Sequence, residues 1–546
     1  MSSTPLPAAR RAFRRLAQHR AAAVCCVGLV ALALGVGFSF ACPRQPAVHD
    51  EFSYLLAADT FAHGRVANPT HPMWRHFETF HVIQEPSYVS MYPPSQGLFL
   101  AAGQVATGHA IVGVWLSFAL AAAAVCWMLQ AWMPPGWAML GGLLAAAHAE
   151  ILQWWATTYW GGAVAMLGGA LVFGALRRIV RFVRVRDALW LGVGLAVLAN
   201  SRPFTGLVLS LPVAVVLLAW MLGKHGPSLS VSLRQVVLPI LGVLGLTVAA
   251  MVYYNLRTTG EPLVRPYVLA WKTYSVTPIF LWQDGLPEPT YRHDVIRQYH
   301  LDWAREVFES HRSPRGIARE CVRRLTVLWH FYLGFALLIP LAVLLCVANN
   351  RWIQLALLSC GLVVLALLQP VWLCPHYAAP ATALVFLLGV QGLRHLRLWR
   401  PEGLPLGRYL VPILLLCYFA APAVMVVRYW TTGHDPWHHY RPWSNHRAEI
   451  LADLRADGDR HLVIVRYGPE HWFGEEWVYN EADIDGAAVV WAREMGPEQD
   501  RELIDYFGDR RVWLLEADST PPTRTPYPLR RPAGTSSRAD AAASGA

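Results

Sequence analysis

The chain has 546 residues, of which 55% are hydrophobic and only 15% are charged, and its net charge is +10. Soluble proteins carry about 25% charged residues, so this composition excludes an ordinary soluble protein. The charge deficit is concentrated in uncharged runs of roughly 17 to 25 residues, the length that a membrane-spanning helix needs. The basic residues lie between those runs, which is typical of a membrane protein and argues against a nucleic-acid partner.

The apolar runs predict an α-helical polytopic membrane protein with about eleven transmembrane helices. The first run is longer than a secretory signal core, so we interpret it as a retained helix, although Ser39-Phe40-Ala41 resembles a cleavage site. The predicted spans lie near residues 21–41, 109–132, 136–155, 160–176, 187–200, 204–222, 235–254, 327–348, 352–370, 378–393 and 408–427.

The basic residues of the short loops predict the orientation. A basic tail at 1–20 and the basic loops at 177–186 and 394–400 all fall on the N-terminal side of the predicted spans. Under the positive-inside rule, this side is cytoplasmic and the C-terminus is periplasmic, as expected for a multi-pass protein of a bacterial inner membrane. The outer loop at 255–326 is also rich in arginine, but it is too long for the rule to apply.

The predicted spans define a transmembrane core at 21–427 with outer loops at 42–108 and 255–326. The character of the sequence then changes, because short strand-like runs at 461–467, 487–493 and 510–518 alternate with a helical segment at 497–509. This alternation predicts a small α/β extracytoplasmic domain at 428–519. The remaining residues, 520–546, contain few large apolar groups and are predicted to be a disordered tail.

The second outer loop ends in a predicted amphipathic helix. An arginine stripe at positions 315, 319 and 323 lies on one face of it, which suits the lipid headgroup layer. An ordinary basic helix end that touches nothing is the alternative. The opposite face carries the apolar residues Ile317, Cys321, Leu325 and Leu328.

Two adjacent carboxylates follow the first apolar run, in the stretch "AVHDEFSYLLAADTFAHG" at 47–64. Asp50 and Glu51 lie in the first turn of a predicted helix, where acids cap the helix and complement its dipole. One acid would be enough for that purpose. Two acids beside His49, at a hydrophobic boundary, favour a functional site, with helix capping as the alternative.

The rest of the first outer loop combines acids, histidines and aromatic residues in "NPTHPMWRHFETFHVIQEPSYVSMYPPSQGLFL" at 68–100. Aromatic rings beside acids and histidines suit the stacking and hydroxyl contacts by which sugars are held. Any one of these residues could instead belong to an ordered loop packed on the bilayer. The candidate sugar-binding residues in this region are Tyr54, Glu78, Glu85 and Tyr92, together with His49.

Four stretches resemble one family. They are "HDEFSYLLAADTFAHGR" and "YPPSQGLFLAAGQ" in the first loop, "NSRPF" at 200–204 and "CPHYAAP" at 374–380. Over roughly residues 20–400, the chain resembles the polyprenyl-phosphate-dependent C-type membrane glycosyltransferases. The nearest branches are family 39 and the bacterial enzymes that decorate lipopolysaccharide cores.

The resemblance implies a polyprenyl-phosphate sugar as donor and a glycan, glycolipid or protein as acceptor, with inversion at the anomeric carbon. It implies that Asp50 is the general base or orients the acceptor, with Glu51 as its partner, since a carboxylate must take the hydroxyl proton. The leaving phosphate needs a cation or a hydrogen-bond donor. The candidates for that role are Arg202, Lys272 and His376, the last beside Tyr377.

The sequence departs from the family in its second outer segment. Family 39 members often carry an acid there, whereas "WWATTYWGG" at 154–162 has none and the nearest is Glu150. A divalent metal therefore stays open. Two other functions are alternatives: a membrane transporter, although the spans contain almost no acids, and a membrane-anchored carbohydrate-binding or sensor protein.

Overall fold

The computed structural model describes residues 5–224, 226–346, 349–432 and 442–528. The predicted tail lies outside the described residues from 529 onward, and so do residues 433–441 of the predicted C-terminal domain. The predicted span near 327–348 loses its last two residues in the same way.

Helices dominate the fold because an apolar segment in a bilayer must satisfy its backbone polar groups internally. Short 3₁₀ or π turns interrupt or join several of them. The first twelve α-helices are α1 Pro5–Gln18, α2 Arg20–Ala41, α3 His49–Ala62, α4 Pro94–Thr107, α5 Ala110–Leu129, α6 Pro135–Ala146, α7 Ala149–Trp155, α8 Gly162–Phe182, α9 Val185–Ala199, α10 Pro203–Leu222, α11 Leu229–Ser232 and α12 Leu238–Thr259. The other ten are α13 Pro266–Tyr274, α14 Asp294–Arg297, α15 Arg305–Arg312, α16 Pro314–Tyr332, α17 Gly334–Cys346, α18 Arg351–Leu367, α19 Thr382–Leu398, α20 Gly407–Thr432, α21 Pro442–Ala456 and α22 Pro497–Tyr506.

The structure confirms an α-helical polytopic fold and refines the number of spans. In the described part of the chain, seven helices are long and apolar enough to cross a membrane, or eight if a bent pair in α16 and α17 counts as one span. The other predicted spans are shorter or broken: α6 and α7 replace one helix, and α9 and α18 have 15 and 17 residues. The seven long helices are α2, α5, α8, α10, Leu229–Thr259, Pro375–Leu398 and α20.

Glycines allow two close approaches that position the outer elements. A Cβ atom on Gly103 of α4 would lie 2.2 Å from the backbone nitrogen of Gly113 in α5, so only glycine permits this crossing. A Cβ atom on Gly169 of α8 would lie 1.8 Å from the carbonyl oxygen of Pro380. This second contact holds the turn Pro375–Ala381, which contains the "CPHYAAP" motif, against the helix bundle.

The first outer loop folds into α3, a small antiparallel sheet and α4. The strands are β1 Asn68–Pro69, β2 Val82–Ile83 and β3 Ser87–Ser90, in the order β1-β3-β2. In this sheet Asn68 pairs with Tyr88, and Val82 pairs with Ser90. The sheet folds residues 81–92 back onto α3, so the loop is an ordered unit.

The C-terminal unit contains α21, α22 and a four-stranded sheet. Its strands are β4 His461–Arg466, β5 Val489–Arg493, β6 Arg511–Glu516 and β7 Thr523–Pro526, in the order β5-β4-β6-β7. β4 pairs in parallel with β5 and β6, and its apolar run is buried on both faces. β7 pairs antiparallel with β6, so the sheet continues past the predicted boundary at 519. The strand escaped prediction because "TRTP" has no apolar pattern.

One hydrophobic core joins the C-terminal unit to the first outer loop. Phe52 and Leu56 of α3 pack with Trp443, Trp477 and Trp491 of the C-terminal unit. Phe52 also stacks on Tyr479, with ring centroids 4.2 Å apart. The helix that carries Asp50 and Glu51 therefore packs against residues of the C-terminal unit that are far away in the sequence.

Candidate active site

Asp50 lies in the first turn of α3, and its carboxylate is the centre of a polar cluster. Its Oδ1 atom lies 2.7 Å from Nδ1 of His81 and accepts a hydrogen bond from the hydroxyl of Tyr92. Burial would raise the pKa of Asp50, but the hydrogen bonds and charge of His81, with the Tyr92 hydroxyl, hold that pKa below its usual range. Asp50 is therefore ionised at physiological pH.

His81 is the site residue that sequence reasoning missed. Its backbone has φ of 59°, in the left-handed region that residues other than glycine rarely adopt. Its carbonyl oxygen accepts hydrogen bonds from Ser53 Oγ at 2.6 Å and from the Met91 amide at 3.1 Å, which hold this conformation. No spacing in the sequence indicates the contact with Asp50, because the contact depends on the fold-back of the loop.

Glu51 points away from Asp50 and binds backbone amides. Its carboxylate accepts hydrogen bonds from the amides of Ala47 at 2.9 Å and Tyr159 at 3.2 Å, and the side chain is buried. The second outer segment, "WWATTYWGG", is thus tied to the first loop by an amide on Glu51. An acid in that segment is not needed for this link.

The residues present do not fit a divalent metal that bridges two acidic loops. Within the described ranges, no group of three His, Cys, Asp or Glu side chains has the arrangement of a metal site. The carboxylate of Glu51 is engaged by amides, and Asp50 contacts His81 and Tyr92. The proposed reaction therefore uses only side chains of the protein.

Aromatic rings surround the carboxylate of Asp50. The ring of His49 stacks on Phe80 at 4.3 Å, and its Nδ1 atom lies 2.8 Å from the hydroxyl of Tyr479 in the C-terminal unit. Tyr54 stacks on Tyr92 at 4.6 Å, and burial raises the pKa of Tyr54 to about 12. The Tyr54 hydroxyl therefore stays neutral, and these rings present faces of the kind on which sugars stack.

Arg202 brings a positive charge to the same cluster. It precedes α10, and its guanidinium carbon lies 4.7 Å above the ring of Tyr377. The guanidinium has no hydrogen-bond or ion-pair partner among the residues that the structure describes. Its charge interacts with Asp50 and with the rings of Tyr54 and Tyr92. A guanidinium with unused hydrogen-bond donors is suited to binding an anionic group.

His376 lies in the turn before α19, next to Tyr377. It is buried, and its ring centroid is 4.8 Å from that of Trp160 in the second outer segment. The structure thus brings "NSRPF" and "CPHYAAP" together with the acidic motif, as one site requires.

A cleft opens from His81 between the first and second outer loops. Its walls are formed by the rings of Trp271, Tyr274, Tyr299, His300 and Trp372. Phe473 of the C-terminal unit packs against Tyr299 at 5.3 Å and extends this aromatic wall. The cleft therefore has contributions from both outer loops and from the C-terminal unit.

Glu78, predicted to bind substrate, belongs to a different cluster. Its buried carboxylate accepts hydrogen bonds from Tyr274 at 2.9 Å and Arg292 at 3.3 Å, and lies 3.5 Å from Nε2 of His293. Its carbonyl oxygen accepts a hydrogen bond from Arg493 of the C-terminal unit at 2.7 Å. These contacts join three segments of the chain.

Two further predicted residues lie outside the cluster around Asp50. Glu85 is exposed in the turn between β2 and β3. Lys272 is exposed on α13, and its side chain makes no contact with Asp50 or Arg202 in the described structure. The structure therefore brings together His49, Asp50, Tyr54, Tyr92, Arg202, His376 and Tyr377, with Glu51 directly beneath them.

No protein-family profile and no curated protein matches the sequence. Among solved structures, the fold matches ArnT from Cupriavidus metallidurans in the apo state, with 14% identity and a TM-score of 0.50, over 89% of this chain and 92% of that one. It also matches the oligosaccharyltransferase AglB of Archaeoglobus fulgidus. The complex with an inhibitory peptide and a dolichol-phosphate has 12% identity and a TM-score of 0.45, over 90% of this chain and 69% of that one.

A further structure of the Archaeoglobus fulgidus oligosaccharyltransferase, in complex with Zn and sulfate, has 12% identity and a TM-score of 0.43, over 84% of this chain and 62% of that one. In this last match, the chain spans less than two thirds of the length of the solved oligosaccharyltransferase. The match to ArnT shows the fold of the C-type membrane glycosyltransferases. At the level of fold, this confirms the resemblance seen in the sequence.

Proposed function

We propose that the chain is an integral membrane glycosyltransferase that moves a sugar from a polyprenyl-phosphate donor to an extracytoplasmic acceptor. The observation that carries the proposal is the charge interaction of an ionised carboxylate, Asp50, with the guanidinium of Arg202, next to an aromatic cleft that is lined by His81, the hydrogen-bond partner of Asp50. A sugar phosphodiester needs these groups together. Its phosphate takes a cation, its sugar takes ring faces, and the attacking hydroxyl takes a base.

The reaction is one displacement. The acceptor hydroxyl oxygen forms a bond to the anomeric carbon while the bond between that carbon and the phosphate oxygen breaks. The polyprenyl phosphate leaves with the bonding electron pair, and Arg202 stabilises its new charge, with His376 close by. The hydroxyl proton is drawn to the negative charge of Asp50. A single displacement inverts the configuration of the anomeric carbon.

Glu51 supports this chemistry by position. Its bonds to the amides of Ala47 and Tyr159 fix the start of α3 against the second outer segment. His49, Tyr54 and Tyr92 then present rings and hydroxyl groups on the side where the sugar would bind. The acceptor class, whether glycan, glycolipid or protein, is set by the cleft beyond His81.

The proposed domain organisation assigns the reaction to the transmembrane core and part of the site's wall to the C-terminal unit. Residues 21–427 form the catalytic core, with outer loops at 42–108 and 255–326. The C-terminal unit contributes Phe473 and Tyr479 to the walls of the site. A truncation near residue 430 would remove the partners of Phe52, so point substitutions discriminate between enzyme and sensor more cleanly.

We further propose that the site faces the periplasm of a bacterial inner membrane, with the N-terminus in the cytoplasm. The basic short loops support this orientation. Alkaline phosphatase fused at residue 440 is expected to be active, and the same enzyme fused at residue 400 is expected to be inactive. The reverse pattern would place the site on the wrong face of the membrane.

The function is tested with purified protein in detergent or nanodiscs. The protein is incubated with a panel of radiolabelled polyprenyl-phosphate pentoses and hexoses and with extracted envelope glycolipids. Transfer of label from at least one donor is expected, and loss of transfer in the Asp50→Asn variant ties the activity to this site. Donor binding without transfer to any acceptor would favour a carbohydrate-binding protein, and movement of donor across vesicles would favour a transporter.

A further inference from the structure

We infer that His81 is a catalytic residue: its Nε2 atom accepts the proton of the acceptor hydroxyl, while Asp50 orients the imidazole ring and balances its charge. This inference rests on the proposed function and names the group that carries the proton in that reaction. Asp50 acts through His81, as a positioning residue with an electrostatic role.

The two nitrogens of His81 have different surroundings. Nδ1 lies 2.7 Å from Oδ1 of Asp50 and 3.1 Å from the hydroxyl of Tyr92. The Tyr92 proton is directed to Asp50, and an ionised carboxylate only accepts hydrogen bonds. Nδ1 must therefore carry a proton and donate it to Asp50, which leaves the lone pair of the neutral ring on Nε2.

Nε2 has no hydrogen-bond partner among the described residues, and the His81 ring forms part of the cleft wall. The side chain is 17% exposed, so an acceptor in the cleft can reach it. Asp50, at 20% exposure, is covered on its Oδ1 side by His81 and Tyr92. Because Nδ1 of His81 is engaged by Asp50, Nε2 is the ring nitrogen of this cleft-lining residue that is available to a ligand.

Hydrogen bonds hold the backbone of His81 in an uncommon conformation. A left-handed φ of 59° is costly for a side-chain-bearing residue, and such strain persists where the surroundings enforce it. Ser53 Oγ donates to the His81 carbonyl oxygen and also lies 2.7 Å from Ser90 Oγ, which links the strained residue to α3 and β3. A residue that only filled space would not need this conformation.

Five titratable side chains face His81 from the elements packed around it. Asp50 and His49 face it from α3, Tyr92 from the segment before α4, and Tyr299 and His300 from the second outer loop. Burial lowers the pKa of His300 to about 3, so that ring stays neutral. Asp50 is the one anion among these groups, and it stabilises the imidazolium directly.

The acid–base properties of the two groups point the same way. A general base works best when its pKa lies near the operating pH, and an imidazole has an ordinary pKa of about 6.5. The pKa of Asp50 is lowered by its contacts, so that carboxylate holds a proton poorly. In the step, the hydroxyl O–H bond breaks, the proton forms a bond to Nε2, and the polyprenyl phosphate departs unprotonated. The proton is then released from His81 to solvent.

The first experiment replaces His81 by Asn, which tolerates the left-handed backbone region. With the donor that the wild-type protein uses best, His81→Asn is expected to lower kcat by roughly a hundredfold to ten-thousandfold. Binding of polyprenyl phosphate alone should stay within about twofold of wild type. The matched control is His63→Asn, since His63 lies at the end of α3 and is 57% exposed.

The pH profile distinguishes a base from a structural residue. A general base must be unprotonated to accept the hydroxyl proton, so kcat/KM of the wild-type protein should rise with pH and then become level. His81→Asn should lose this rising limb. Wild-type turnover with the same rising limb in His81→Asn overturns the inference.

A second variant guards against misfolding. His81→Gly accepts the same φ without strain, and it leaves a space beside the cleft. Added imidazole should restore transfer by at least roughly tenfold, and the restored rate should follow the neutral fraction of imidazole. A folded His81→Gly protein that transfers sugar at the wild-type rate without imidazole, together with inactive Asp50→Asn, would show that the carboxylate takes the proton directly. The proposed function would survive that result, whereas it fails if the wild-type protein transfers no sugar.

Discussion

Among the described residues, the clusters around Glu78 and around Asp50 differ in how far their polar groups are already hydrogen-bonded. Around Glu78, the carboxylate is buried and accepts hydrogen bonds from Tyr274 and Arg292, with His293 close by. Around Asp50, the cleft-facing nitrogen of His81 and the guanidinium of Arg202 lack protein partners among the described residues. A satisfied cluster holds segments together, whereas an incompletely satisfied one is available to a ligand.

The sharpest way to break this comparison is Asp50→Asn. The substitution keeps the shape and the hydrogen bond from Tyr92 but removes the negative charge that the proton transfer needs. Transfer should fall by roughly a hundredfold to ten-thousandfold. Melting of the purified protein should change little, because Asn is as well tolerated as Asp near a helix start. Initial rates and a thermal unfolding scan measure the two effects.

Asp453→Asn is the matched control, since Asp453 is exposed on α21. Glu51→Gln should give a smaller loss of transfer than Asp50→Asn, because the Glu51 carboxylate binds amides rather than substrate. A folded Asp50→Asn protein with unchanged transfer would reduce Asp50 to a helix-capping residue.

Arg202→Gln tests the positively charged residue of the cluster around Asp50. A hydrogen bond to a charged group contributes about 1.5–3 kcal/mol, so the dissociation constant for polyprenyl phosphate should rise roughly tenfold to hundredfold. The measurement is equilibrium binding of polyprenyl phosphate to the protein in nanodiscs. Arg234→Gln, a replacement of an arginine outside the cluster, is the control. Unchanged binding would assign the phosphate to another group.

The arginine stripe of α16 should have a smaller effect on the donor. Arg315 and Arg319 are exposed, whereas Arg323 is already paired with Glu320. Replacing all three by Gln should raise the KM for the donor roughly fivefold to twentyfold, since each of the two unpaired arginines contributes up to about 1 kcal/mol near an anionic surface. Turnover should change less than KM. If both parameters stay constant, the stripe is a solvated helix face.

Glu78→Gln should leave turnover almost unchanged and lower stability instead. Its carboxylate loses charge-assisted bonds to Tyr274 and Arg292, which should cost roughly 1–3 kcal/mol. A lower melting temperature with near-normal kcat is the expected result. A loss of kcat at full stability would show that Glu78 takes part in the reaction. The two clusters would then no longer differ in function.

The sequence predicts the helical membrane fold and draws attention to Asp50 and Glu51, because apolar length and adjacent carboxylates are local signals. It does not predict the contact between Asp50 and His81, since that depends on a strained residue in a folded-back loop. The role of Glu51 depends on an amide more than a hundred residues away, at Tyr159. Such long-range contacts leave no periodic trace in a single sequence.

The breaks in the membrane helices were equally hidden. A run of apolar residues at 136–155 has the composition of one span, yet the chain forms α6 and α7 with a turn between them. Hydropathy reports how apolar a segment is, and it does not report where a helix ends. Helix count was therefore the least predictable feature of the core.

The shared core between α3 and the C-terminal unit has a consequence for how the molecule matures. Phe52 stacks on Tyr479, and the Ala482 amide donates to Asp59 at 2.7 Å, so residues synthesised about 400 positions later complete the support of the helix that carries Asp50. A chain whose synthesis has not reached Tyr479 can insert its first helices but lacks this support. Insertion of the membrane helices and completion of the cluster around Asp50 are thus separate events.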